Sequence, residues 1–125
     1  MEASKILENE DLIVILDLFP VTKGHSLVIP KKHWEFISEV EKIVAERMFN
    51  TGVIVADAIR KSGIKPDGIN LHLSDGRAAG QEIPHTHLHI IPRYIGDGSG
   101  FRFNNKSMAK REELNKLAKE IKEKM

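Results

Sequence analysis

The sequence predicts an α+β fold with a largely antiparallel sheet, and three observations carry that expectation. Apolar, β-branched runs gather in two clusters, at 5–30 and 68–92; one long helical stripe separates them; and the breaks inside each cluster are short enough for strands to fold back on one another. With 125 residues the chain makes one ordinary domain, which buries roughly two thirds of its unfolded surface and needs no covalent staples.

KILE at 5–8, the polar turn NED at 9–11 and LIVILDL at 12–18 read as a hairpin. SLVIP at 26–30 follows the loop FPVTKGH, short enough for antiparallel pairing with the strand before it. The long helix is expected from about Ser38 to Ser62. Ser38 followed by Glu41 has the spacing of a capping box; Val40, Val44, Met48, Val55 and Ile59, with Ile43 and Ile54 beside them, form the apolar stripe; Gly63 suits a left-handed stop. GINLHL at 68–73 and PHTHLHIIP at 84–92 are two further strands, joined by the glycine-bearing loop SDGRAAGQE. From Ser107 to Met125, Leu114, Leu117, Ala118, Ile121 and Met125 share one face of a last helix, which packs on its own domain or on another subunit.

Composition excludes several functions. Lys plus Arg number 19 against 18 Asp plus Glu, so nothing favours a nucleic-acid polymer or a membrane surface as partner. The absence of cysteine removes disulfides, thiolate-held zinc and a thiol nucleophile. The opening MEASKILENEDL is polar, and the nearby run LIVIL is too short for a signal core or a membrane span, which makes the cytoplasm the default location.

HTHLHIIPR at 85–93 places three histidines on alternate positions. On a strand His85, His87 and His89 share one face, and Thr86, Leu88 and Ile90 the other, so the apolar set seals against the helix while the imidazoles face a cleft. Two chemistries use such a set. Neutral imidazoles can collect a divalent metal, with His25, His72, Asp75 or Glu82 as a further ligand. Alternatively one ring is a nucleophile and its neighbours orient it and move protons. The loop DGRAAGQ, with its glycines and free amides, suits an anion better than a cation.

The chain resembles the histidine triad family of nucleotide hydrolases and transferases. Three motifs carry the resemblance in order: DLFPVTKGHSLVIPKKHW at 17–34, DGRAAGQEIPHTHLHIIPR at 75–93, and within the latter His85-Thr86-His87-Leu88-His89-Ile90-Ile91, where Thr86 is the one imperfect apolar position. The resemblance implies a five-stranded antiparallel sheet with one long helix packed on it and a C-terminal helix, a catalytic domain over 1–103 with 104–125 as its helical extension, and pairing as a homodimer. It implies hydrolysis or transfer at the α-phosphate of nucleoside phosphoramidates, nucleotidyl anhydrides or dinucleoside polyphosphates, with a purine nucleotide or nucleotide conjugate as ligand. No cofactor and no metal are required, and the cysteine pairs that hold zinc in some members are absent.

The site residues implied are these. His87 is the nucleophile and forms a nucleotidyl-histidine; His89 contacts the phosphate or assists the leaving group; His85 and His25 line the pocket and fix the nucleophilic ring. Asp17 accepts from the ribose hydroxyls, while Leu18 and Ile6 pack on the base. Gln81 and the amides around Glu82 hold the phosphate oxygens. Ser74 stands near the leaving group where many relatives carry Asn or Gln, and the Glu82 carboxylate is expected to point away from phosphate. His33 and His72 match no triad position and read as structural or exposed. Arg93 either neutralises phosphate or ends a strand. YIGDGSGFRF reads as a flexible connection to the last helix, with a lid as its possible role. A metal-dependent hydrolase using the three histidines, and a nucleotide-binding sensor with weak catalysis, are the rival functions.

Overall fold

The computed structural model describes residues 3–98 and 107–125. Its elements are β1 (Lys5–Glu8), β2 (Leu12–Leu16), β3 (Ser26–Pro30), α1 (Lys42–Lys61), β4 (Gly68–His72), β5 (Leu88–Arg93) and α2 (Arg111–Glu123), with short 3-10 turns at Ile37–Glu39 and Arg77–Ala79. The strands form one five-stranded sheet in the order β1-β2-β3-β5-β4, every pair antiparallel. This is the α+β architecture expected. The boundary expected at 103/104 lies outside the described residues.

Alternation along the strands gives the sheet two different faces. Leu12, Val14, Val28, Leu88 and Ile90 are buried, and Val40, Val44, Met48, Val55 and Ile59 meet them from the helix side. Each such side chain contributes about 1.5–3 kcal/mol on burial. Helix and sheet approach closely because position 52 carries no side chain. A Cβ on Gly52 would stand 2.9 Å from Leu88 and 3.1 Å from Ile90, so the middle of α1 rests directly on β5.

Three details differ from the sequence reading. α1 starts at Lys42, because Val40 and Glu41 have extended backbones (ψ 136 and 134) that break the run after the 3-10 turn; the carboxylate that reaches back is Glu39, accepting from the Phe36 amide at 2.8 Å. Ser38 therefore caps nothing at the head of α1. Ile43 and Ile54 flank the stripe but are exposed. The helix ends on Ser62, whose hydroxyl donates to the Ile59 carbonyl at 2.6 Å, and Gly63 is not among the residues of positive φ.

β5 is also shorter than expected. The ladder with β3 stops at the pair Val28 and Leu88. Two residues further on, Pro30 would face Thr86, and proline has no N–H to offer. The Thr86 amide turns instead to the Trp34 carbonyl at 2.7 Å. Alternation nevertheless persists through this irregular stretch: Thr86 and Leu88 are buried, while His85, His87 and His89 are half-buried.

α2 buries none of its residues, and Leu114, Leu117 and Ile121 are exposed. Residues 99–106, which hold the second half of the expected flexible connection and lid, lie outside the described residues. Among the described residues no helix is long and apolar enough to cross a membrane.

Candidate active site

The face of the sheet turned away from α1 carries the imidazoles. Strand register sets their order: Ile15 pairs with Leu27, Leu27 with His89, and His89 with His72, which makes one row across β2, β3, β5 and β4. His25 joins the row from the loop before β3. That loop is held by Gly24, whose φ of +94 favours glycine; a Cβ there would also lie 2.7 Å from the end of the Ile64 side chain, which would have to shift.

Hydrogen bonds assign the tautomers. The Val21 amide donates to His25 Nδ1 at 3.0 Å, which leaves the ring proton on Nε2; that nitrogen lies 2.8 Å from His89 Nδ1. His89 Nδ1 is then the acceptor, and its proton sits on Nε2. His87 Nδ1 lies 2.8 Å from the His85 carbonyl, which only an N–H can satisfy, so His87 Nε2 keeps a bare lone pair. His85 turns elsewhere: its Nε2 donates to the Pro30 carbonyl at 2.8 Å and its Nδ1 meets His33 Nδ1 at 3.3 Å.

Burial disfavours the charged form of His89, His25 and His72. His89 is pushed down to about 4, chiefly by desolvation and then by His87, His25 and His72, with Asp17 opposing. His25 is lowered by desolvation, with Asp17 again opposing and with His72 and His87 adding to the shift. His72 is lowered by desolvation and by His87. A neutral cluster of this kind can donate, accept and attack near neutral pH, when protonated rings could only donate.

A cleft of about 450 Å³ opens over the row, lined from one end by Asp17, Phe19, Val21 and Leu27, centrally by His87 and His89, and at the other end by His72, Ser74, Gly80, Glu82 and Ile83. Asp17 Oδ1 accepts the Phe19 amide at 2.9 Å, and Oδ2 lies 3.6 Å from His25 Nε2. Leu18 and Ile6 are exposed, at 68% and 48%. Gln81 is buried and fully engaged: Oε1 accepts from the Gly76 amide at 2.7 Å, and Nε2 donates to the Glu35 and Ile83 carbonyls at 2.7 and 3.1 Å. Its side chain braces the loop that ends the cleft. Arg93 pairs with Asp97 at 2.8 Å and with Asn70, and is not among the cleft residues.

His72 is the residue the sequence reading missed. It stacks on His89 with centroids 5.2 Å apart and planes 24° apart, and its Nε2 lies 3.0 Å from Ser74 Oγ. The strand pattern of GINLHL supplied its phase. Only the register of β4 against β5 could put that phase beside His89.

A metal held by the three triad histidines finds little support in this geometry, since His85 faces Pro30 and His33. Among the described residues the donor atoms that do converge, within 4.8 Å, belong to Asp17, His25 and His89. There His25 Nε2 carries the proton that Val21 excludes from Nδ1, and ligation would have to strip it. The set fits a proton chain better than a cation.

The comparisons with known proteins agree with this fold. The family model described as the HIT domain matches residues 1–96. An uncharacterised HIT-like protein of Methanocaldococcus jannaschii is 38% identical over 120 residues, covering 96% of this chain and 89% of the relative. An adenylylsulfatase of Arabidopsis thaliana is 42% identical over 89 residues, covering 71% of this chain and 45% of that protein. The crystal structure of a HIT family member from Bacillus subtilis superposes with a TM-score of 0.88 at 38% identity, covering all of this chain and 89% of the other. Ordered motifs, sheet order and an imidazole row over one cleft converge on a single conclusion: the chain belongs to the HIT family.

Proposed function

We propose that the protein is a nucleotide hydrolase or transferase that works through a nucleotidyl-histidine at His87. The observation carrying this reading is the bond from His87 Nδ1 to the His85 carbonyl at 2.8 Å, which fixes the ring and leaves Nε2 unprotonated over the cleft. That lone pair attacks the α-phosphorus, and the bond to the leaving group breaks with its electron pair going to the departing atom. Water then attacks the same phosphorus, releases the nucleoside monophosphate and restores His87. The substrates are nucleoside phosphoramidates, nucleotidyl anhydrides or dinucleoside polyphosphates; the activity for which the Arabidopsis relative is named, that of an adenylylsulfatase, lies within this class.

The other roles follow the cleft from end to end. Asp17 takes the ribose hydroxyls on Oδ2, and the apolar end, Phe19, Val21 and Leu27 with Leu18 and Ile6 at its rim, takes a purine base. His89 Nε2–H donates to a phosphoryl oxygen, backed by His25. The backbone amides near Glu82 complete the phosphate site, held in place by Gln81. No metal takes part. The active form is a homodimer, in keeping with the bare apolar stripe of α2 at Leu114, Leu117 and Ile121; sedimentation equilibrium of the full chain tests this, and a monomer at micromolar concentration overturns it.

The decisive experiment is intact-mass analysis of protein quenched while turning over an adenosine phosphoramidate with excess chelator. One added nucleotidyl group mapping to His87, and absent in His87→Ala, is the expected result. Tight nucleotide binding with no turnover in either form would instead mark a binding protein.

A further inference from the structure

The run HSLVIPKKHW ends in a segment, 31–34, to which the reading above gives no task, and one proline decides what that segment does. The Lys31 amide donates to the Asp11 carbonyl at 2.8 Å and the Asp17 amide to the His25 carbonyl at 2.9 Å, so the odd positions here bond to β2 and the even ones, Pro30 among them, face β5. An unbroken ladder would pair residue 30 with Thr86, each amide donating to the carbonyl of the other. Proline has no N–H, the pair does not form, and two groups are released. The Pro30 carbonyl accepts from His85 Nε2 at 2.8 Å, and the Thr86 amide donates to the Trp34 carbonyl at 2.7 Å.

The second of these bonds bears on the nucleophile. The Thr86 N–H and the His85 carbonyl belong to one planar trans peptide, so they point in opposite directions and turn together. Trp34 grips one end of that unit, and the other accepts from His87 Nδ1 at 2.8 Å. Donation at the first end also polarises the amide and strengthens its carbonyl as an acceptor. Trp34 is well placed to do this: its ring packs on the core, and Gln81 Nε2 holds the next carbonyl, that of Glu35, at 2.7 Å. His33 supplies a further hold. Because His85 Nε2 carries the proton given to Pro30, His85 Nδ1 is the acceptor, and the 3.3 Å contact is donated by His33 Nδ1–H.

We propose that residues 30–34 form a clasp that aims the nucleophile of the reaction described above, on which this inference rests. Pro30 creates the clasp by interrupting the ladder. The Trp34 carbonyl turns the peptide between His85 and Thr86, and His33 locks the His85 ring beside it. The His85 carbonyl then meets His87 Nδ1, and Nε2 faces the cleft. Pro30, His33 and Trp34 are positioning residues: they act on the reaction only through the His85 carbonyl.

The test compares the parent chain with His33→Phe, His33→Asn and Pro30→Val, using hydrolysis of an adenosine phosphoramidate, nitrogen-15 spectra of His87 and urea denaturation. Phenylalanine keeps a ring without a donor; asparagine places an amide N–H where His33 Nδ1 stands; valine restores the N–H that lets residue 30 pair with Thr86. His33→Phe is expected to lower kcat about tenfold and Pro30→Val on the order of a hundredfold, each with KM unchanged. In both, the spectra should show His87 losing its single Nδ1-protonated form, while the urea midpoint stays at or above the parental one. His33→Asn should restore the parental kcat and spectrum. If kcat holds in His33→Phe and Pro30→Val, or falls only in step with the urea midpoint while His87 stays protonated on Nδ1, the clasp is overturned and the nucleotidyl-histidine reading survives. A parent chain with neither turnover nor adduct defeats that reading first and this inference with it.

Discussion

His25 and His89 are joined by a single proton: Nε2 of the first lies 2.8 Å from Nδ1 of the second, and the Val21 amide at His25 Nδ1 decides which ring owns it. The direction of the whole chain, from Val21 through His25 to His89 Nε2–H, follows from that one backbone donor. Nitrogen-15 spectra at pH 7.5 should therefore show His25 and His89 protonated on Nε2 and His87 on Nδ1. Replacing His25 by Phe should remove the preference at His89 and lower kcat about ten- to a hundredfold; an unchanged His89 tautomer in that variant is inconsistent with the relay.

Thr86 fills the one imperfect apolar position of the triad motif. Its Oγ1 is buried and has no hydrogen-bond partner among the described residues. Valine has nearly the same shape without the hydroxyl, so Thr86→Val should stabilise the fold by about 1 kcal/mol, the desolvation cost of an unpaired polar atom. Urea denaturation measures it. A loss of stability instead would mean that the hydroxyl has a partner in solution.

Acid should unfold the protein through its site. His89, His25 and His72 all have folded-state values below the ordinary imidazole value of 6.5, His89 at about 4. Below pH 6.5 the unfolded chain therefore binds more protons than the folded one, and stability falls as pH falls; above it the three contribute no slope. Between pH 7 and pH 4.5 the loss from His89 alone is on the order of 2 kcal/mol after allowance for solvent screening, and His25 and His72 act in the same direction. A variant with His89→Asn should show a shallower decline between those pH values, and a parallel decline would assign the effect to other groups.

Gly52 sets the distance between α1 and β5. With Leu88 and Ile90 only 2.9 and 3.1 Å from a built Cβ, Gly52→Val forces the helix outward or the two side chains off their rotamers. A cost of about 1–3 kcal/mol is expected, despite the better helix propensity of valine. Because β5 carries His89, the same variant should also weaken turnover more than a distant substitution of equal stability cost. Chemical denaturation and kcat measured on one preparation check both.

Local chemistry alone determined much of this protein. Periodicity located every strand and both helices to within a few residues, because side-chain alternation and the helical repeat are properties of neighbouring residues. The same alternation put His85, His87 and His89 on one side, and the three motifs pointed to the family that the comparisons then confirmed. What lay beyond reach depended on partners distant in sequence. Pro30 cut short the strand at 88 by facing Thr86 without an N–H, and Val21 selected the His25 tautomer. The pairing of β4 with β5 carried His72 from the anonymous strand GINLHL to the side of His89. Spacing along a chain tells which way a side chain points; which other side chain it meets is set by register between strands, and register exists only once the sheet has formed.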